Sequence, residues 1–212
     1  MTDHAARAVL RVVGIAGSLR RGSYNRALLC AAQQVTPPSL HIEIETLDDV
    51  PMFNADLDNG ATPAAVARLR RAIGEADALL LVTPEYNHGV PGVMKNAVDW
   101  LSQPQGRSVL DGKPTAIMGA STGLAGTARS QSQLRQSFVL TNTPSMLRPE
   151  VLVGRAQEKF DSSGHLTDEP TRRFLRSFLE QFASWIEVQL RAREISQSGL
   201  TTGAMRARLR GE

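Results

Sequence analysis

Residues 10–25 read LRVVGIAGSLRRGSYN. Leu10–Ala16 is an apolar run of strand length, and the turn that leaves it, Gly17–Asn25, holds two glycines, two serines and two arginines before a helical pattern begins. A strand that passes through such a turn into a helix start aims several backbone N–H groups at one point, where the helix dipole also favours negative charge. Gly17 and Gly22 tolerate backbone angles that side chains forbid. Ser18 and Ser23 supply hydroxyls, with Ser23 also placed to cap the helix, and Arg20 or Arg21 adds a fork of charge-assisted bonds. Phosphate suits this donor set. The plain alternative is a turn whose polar residues only solvate themselves.

Spacing narrows the choice of phosphate. Gly17 and Gly22 have the interval of a nucleoside-triphosphate loop, but Ser23 and Tyr24 stand where that loop needs lysine and a serine or threonine. Gly14, Gly17 and Gly22 also miss the intervals of the G-x-G-x-x-G dinucleotide fingerprint. A terminal monophosphate is the expected guest.

Outward from this stretch, Ile42–Leu47, Ala78–Thr83, Thr115–Ala120 and a run near Ser145–Val153 join Leu10–Ala16 as predicted strands. Helical periodicity covers Asn25–Val35, Pro63–Gly74, Pro91–Ser102 and Leu124–Leu140, and a last helix starts from a Thr167 or Asp168 cap and runs to Glu194. Five strands alternating with helices imply a parallel sheet covered on both faces. In the third helix Val93, Met94, Ala97, Val98 and Leu101 share a face, and Lys95 pairs with Asp99 one turn on. Phe174, Phe178, Phe182, Trp185 and Ile186 make a core stripe in the last helix. Asp48–Thr62, with Pro51, Gly60 and several acids, is a connector placed to rim a site.

The 212 residues are 42% hydrophobic, enough for one domain, 1–195, with a sizeable core; 196–212 is expected to form a mobile basic tail. Of the formal net charge of +3, Arg206, Arg208, Arg210 and Glu212 account for +2, so the body is near neutral and no nucleic-acid partner is expected. Cys30, the single cysteine, allows no internal disulfide and is expected as a buried structural thiol, which suits a reducing cytoplasm. Arg11 interrupts the first apolar run, so no leader is expected, and no stretch has the length and apolarity to span a membrane.

A second loop, PEYNHGVPG (Pro84–Gly92), also joins a strand to a helix. In a doubly wound sheet of order 2-1-3-4-5, strands one and three are neighbours at the switch point, so both loops open on one crevice. Pro84 stiffens the loop and Tyr86 offers a planar face, while Glu85 and Asn87 can hydrogen-bond the edge of a heterocycle. His88 reads as a rim residue.

GSLRRGSYN together with TPEYNHGVPGVMKNAVDW (Thr83–Trp100) resembles the NAD(P)H-dependent FMN reductase family, in particular its quinone/chromate reductase branch, over about Arg11–Leu190. Gly112-Lys113-Pro114, the Gly123-x-x-Gly126 loop, the Ala128–Gln136 segment, Pro149-Glu150 and the Asp161–Asp168 segment fit the same pattern. The resemblance implies a flavodoxin-like α/β fold, a doubly wound five-stranded parallel sheet of order 2-1-3-4-5 with helices on both faces. It implies non-covalent FMN, with NADH or NADPH as hydride donor. Ser18, Arg20, Ser23 and Asn25 would hold the phosphate with Tyr24 beside them. Pro84, Glu85, Tyr86 and Asn87 would line the isoalloxazine, and Ser121, Thr122 and Gly123 would complete the pocket. The flavin carries the chemistry, so no catalytic side chain and no metal is expected. Donor and acceptor would use one open face in a ping-pong cycle, the acceptor being a quinone, an azo or nitro aromatic, a metal oxyanion such as chromate, or free flavin. Dimers or tetramers are implied, with Arg129 and Glu150 at a subunit contact. Ser132 departs from the branch, which carries a tyrosine there.

Two rival readings come from other classes. Gly119-Ala120-Ser121-Thr122-Gly123 fits the G-x-S-x-G of a serine hydrolase, with Asp161 and His165 following in order. A non-enzymatic flavodoxin-type electron carrier shares the cradle, although the near-neutral body lacks the acidic docking face expected of one.

Overall fold

The computed structural model describes residues 9–58 and 62–210, with side chains described as far as Ser196. Five strands, β1 (Leu10–Ala16), β2 (Leu40–Glu45), β3 (Ala78–Val82), β4 (Thr115–Ala120) and β5 (Val151–Val153), form one parallel sheet of order β2-β1-β3-β4-β5. The connecting helices are α1 (Tyr24–Gln34), α2 (Ala64–Glu75), α3 (Gly92–Leu101) and α4 (Ala128–Thr141), and α5 (Glu169–Arg210) closes the chain.

β3 and β4 are buried along their whole length, which is why they read as unbroken apolar runs and not as alternation. The period of two still sorts their side chains between two cores. Ala78, Leu80 and Val82 pack with α1 and α5 on one face, whereas Leu79 and Leu81 pack with α2, α3 and α4 on the other. The sheet therefore leaves its carboxyl edge, where β1, β3 and β4 end side by side, as the place where the loops gather.

Several local expectations hold in detail. Ser23 caps α1, its Oγ accepting from the N–H groups of Asn25 (3.2 Å) and Arg26 (3.4 Å). Asp168 caps α5 by accepting from the Thr171 N–H at 2.9 Å, and Lys95 donates to Asp99 at 2.5 Å.

Others are corrected. Cys30 is exposed, because α1 turns Leu28, Leu29, Ala31 and Ala32 to the sheet and leaves position 30 on the outer side. Phe174 is 43% exposed; the buried stripe of α5 runs through Leu175, Phe178, Leu179, Phe182 and Ile186, one residue round the helix from the expected start. Only Val151–Val153 of the fifth strand joins the ladder, with Ser145 making an isolated bridge to Thr115. α4 begins at Ala128, since Gly126 takes a φ of +60° in the turn before it. The helical backbone of α5 continues past Glu194 to Arg210. Gly60 of the Asp48–Thr62 connector and residues 211–212 of the tail lie outside the described residues.

Candidate functional site

The turn after β1 is pinned at its root and open at its tip. The Gly17 N–H donates to the Val82 carbonyl at 2.8 Å, and a Cβ on Gly17 would stand 2.8 Å from the Met94 Cβ, so only glycine lets this turn lie against α3. The Ser23 N–H donates back to the Arg20 carbonyl at 3.1 Å. Between these points the N–H groups of Ser18, Leu19, Arg20, Arg21 and Gly22 donate to no backbone carbonyl among the described residues. Five unclaimed donors in the turn that leads into a helix, with the Ser18 and Ser23 hydroxyls beside them, form a cradle for an anion. The Arg20 guanidinium lies 5.7 Å from the Tyr24 ring centroid, a cation over an aromatic face at the same turn.

The loop after β3 is built around a tight turn. Tyr86 and Gly89 exchange N–H···O bonds of 3.2 and 3.0 Å, and Asn87 (φ 52°) and His88 (φ 63°) both take the left-handed conformation of a type I′ turn. Asparagine is favoured there and histidine tolerated. This geometry lifts the Tyr86 ring, 51% exposed, while its hydroxyl comes within 3.4 Å of the Ser18 Oγ. The first two loops thus touch.

α4 holds that loop in place from the other side. Glu85 accepts from the Arg129 N–H (2.9 Å), the Ser130 N–H (3.2 Å) and the Arg129 guanidinium (3.1 Å), so its carboxylate caps α4. Burial alone would raise the Glu85 pKa, but the Ser130 N–H and the Arg129 side chain and N–H outweigh it and hold the carboxyl below its ordinary value. Gln133 accepts from the Val90 N–H at 2.7 Å, fixing the far end of the loop. At the tip of β4, a Cβ on Gly119 would lie 2.1 Å from the Thr127 Oγ1 and 2.3 Å from the Thr83 carbonyl oxygen, so glycine alone allows the third loop to pack this close. The Ser121 Oγ accepts from the Gly123 N–H at 3.1 Å, and Thr122 and Gly123 are exposed.

The structure brings Ser18, Arg20, Ser23 and Tyr24 together on one turn and sets Pro84, Tyr86 and Asn87 beside it, with Ser121–Gly123 on the next strand tip. Two expected ligand residues have other work. Asn25 gives its whole amide to β4, donating to the Ala120 carbonyl and accepting from the Ala120 N–H, each at 2.9 Å. The Glu85 carboxylate faces α4. Arg129 pairs with Glu85, while Glu150 pairs with Arg135 at 3.4 Å, so Arg129 and Glu150 do not meet within the chain. Asp161 and His165 pair with each other (3.3 Å) beside a cleft against α1 that Ser121 does not line, so the three hydrolase residues are not assembled. Gln133, the packing role of Gly119 and the capping use of Glu85 are not legible in the sequence; they act across more than forty residues of chain or through backbone packing, and no local pattern marks those roles.

Three loops at the carboxyl edge of a 2-1-3-4-5 parallel sheet, one an anion cradle and one presenting a raised aromatic ring, define a flavodoxin-like oxidoreductase fold. The model of the family described as NADPH-dependent FMN reductase matches residues 10–158. An NAD(P)H-dependent FMN reductase of Pseudomonas aeruginosa is 44% identical over 177 residues, covering 84% of this chain and 95% of that protein. A quinone reductase of Pseudomonas putida is 43% identical over 180 residues, 85% and 96% of the two chains. Among solved structures, the flavoenzyme NAD(P)H:(acceptor) oxidoreductase of Paracoccus denitrificans superposes with a TM-score of 0.79 at 36% identity, over 85% of this chain and 99% of that one. The chain belongs to the NADPH-dependent FMN reductase family, an enzyme family whose cofactors are FMN and a reduced nicotinamide dinucleotide. Among the described residues no helix is long and apolar enough to cross a membrane.

Proposed function

We propose that this protein is an FMN-dependent NAD(P)H oxidoreductase that reduces quinones. The observation that carries the reading is the run of unclaimed N–H groups from Ser18 to Gly22, flanked by the Ser18 and Ser23 hydroxyls and the Arg20 guanidinium. That donor set suits a phosphate monoester and offers no free carboxylate to repel it. Bound FMN supplies two-electron chemistry, taking a hydride and passing the electrons on. The chain's own residues bind and orient. Ser18, Arg20, Ser23 and the turn amides hold the phosphate, Pro84, Tyr86 and Asn87 border the ring on one side, and Thr122 and Gly123 border it on the other. Asn25 and Glu85 act at one remove by fixing the tips of β4 and α4.

The crevice is open, so donor and acceptor occupy the same face in turn, which gives ping-pong kinetics. Azo and nitro aromatics, chromate and free flavin are further acceptors under this reading. Arg129 and Glu150, with side chains 53% and 47% exposed, remain available for the subunit contact of a dimer or tetramer. The single cysteine, which allows no internal disulfide, supports a reaction in the reducing cytoplasm. An absorption spectrum tests the proposal: the FMN-loaded protein should be yellow, bleach with NADH or NADPH and recover with a quinone. A chain that takes up no FMN, or bound flavin that nicotinamide does not bleach, would overturn it.

A further inference from the structure

Beyond the turn that holds the cradle, the same loop borders a second hollow. A cavity of about 540 Å³ lies between α1 and the 161–166 loop, and Arg21, Ser162, Ser163 and His165 line it together with Ala27 and Ala31. This is the volume of a pocket for a nucleotide-sized ligand.

The loop is held rigidly by its own bonds. Asp161 Oδ1 accepts from the N–H groups of Ser163 (2.9 Å) and His165 (2.8 Å), the Asp161 N–H donates to the His165 carbonyl (3.0 Å), and Gly164 takes the positive φ (83°) that the turn needs. Asp161 Oδ2 lies 3.3 Å from Nδ1 of His165, which orients the ring and leaves Nε2 without a partner among the described residues. Arg21 is exposed and forms no ion pair among the described residues. The cavity therefore offers a guanidinium, an imidazole nitrogen and two hydroxyls, while its one carboxylate is already engaged by two amides and a ring. Ala27 and Ala31 give an apolar wall for a flat base.

A free arginine with hydroxyls is the means by which a protein grips a phosphate in two-pronged fashion. The cavity also shares Arg21, Gly22 and Ser23 with the turn assigned to FMN phosphate, so a ligand here lies alongside the flavin site and not on a remote face. On the reading that NAD(P)H is the donor, we infer that this cavity seats the adenosine end of NADPH, with the 2′-phosphate held by Arg21, His165 and the serines at 162 and 163. It is a specificity site for the phosphorylated dinucleotide.

Calorimetry on the FMN-loaded protein with 2′,5′-ADP and with 5′-ADP tests this. The 2′-phosphorylated compound should bind about tenfold more tightly, and Arg21→Ala and His165→Ala should each erase about tenfold of its affinity. In steady state His165→Ala should raise KM for NADPH by a similar factor and leave KM for NADH and the flavin content unchanged. Equal binding of the two adenylates, binding that survives both substitutions, or an equal rise in KM for both donors would overturn the assignment. Loss of the flavin reading is seen separately, as a colourless chain before any adenylate is added, and the 2′,5′-ADP titration can be run on that chain too.

Discussion

Asn25 is 3% exposed, and both ends of its amide meet one peptide group of β4. The pairing of β3 with β4 ends at Val82 and Met118, so the Ala120 N–H and carbonyl lie beyond the last rung and depend on this side chain. Asn25→Ala would strand two buried polar groups and should destabilise the flavin-free protein by about 2–4 kcal/mol in urea unfolding. If Asn25 instead bound the phosphate directly, the substitution would weaken FMN affinity and leave the flavin-free stability nearly untouched, so the two measurements separate the roles. The same residue shows what a sequence withholds. GSLRRGSYN marks the cradle because its donors are local, but an asparagine two residues past a cap looks the same whether it faces a ligand or a strand 95 residues away.

At the level of elements, the crevice is set by α4 as much as by the strands. Glu85, on the loop after β3, caps α4, and its side chain is only 9% exposed. Its carboxyl titrates below the ordinary value of 4.5 in the folded protein because the Ser130 and Arg129 donors outweigh burial. The stability it contributes is therefore fully present above about pH 4.5 and is lost as the pH falls through the lower folded value. Glu85→Gln should lower stability at neutral pH by about 1 kcal/mol, the usual worth of a charged cap, and the difference from the parent should shrink as the pH falls below the ordinary value of 4.5. Urea midpoints at neutral pH and across the acid limb below 4.5 check this; a deficit that stays constant would show that Glu85 is not the titrating group. Helices and central strands were legible because their periodicity is strong: β1 and β4 fall on the predicted residues. β5 was not, since three residues carry little pattern, and the backbone of α5 runs past Glu194 although Gly199 and Gly203 lower its intrinsic helix propensity. Cys30 and Phe174 were misplaced for another reason: a helix can be rotated by a residue without disturbing its apolar spacing, and only packing decides the rotation.

Across the whole molecule, two cores clamp one sheet while the carboxyl edge stays open, so the fold binds its ligand with loops that the cores already position. The Ser18–Tyr86 contact joins the first two loops to each other, the Asn25–Ala120 pair ties the first to β4, and the Glu85 cap ties the second to α4 before any flavin arrives. FMN then needs only to claim the donors of Ser18–Gly22, and it binds the folded chain alone, because the unfolded chain has no cradle. Linkage makes this measurable: at about a hundredfold excess of free FMN over its Kd, the folded state should gain about 2.7 kcal/mol. Arg20→Ala removes one charged donor from the phosphate; if that bond is worth about 1.5–3 kcal/mol, the range for hydrogen bonds to charged groups, the gain at the same FMN concentration should fall by about 1.4–2.4 kcal/mol, leaving the flavin-free stability close to that of the parent. Urea unfolding with and without FMN reads both quantities. If Arg20→Ala leaves the gain intact, the cradle works through its amides and hydroxyls, and the guanidinium over Tyr24 belongs to the packing of the turn and not to the phosphate.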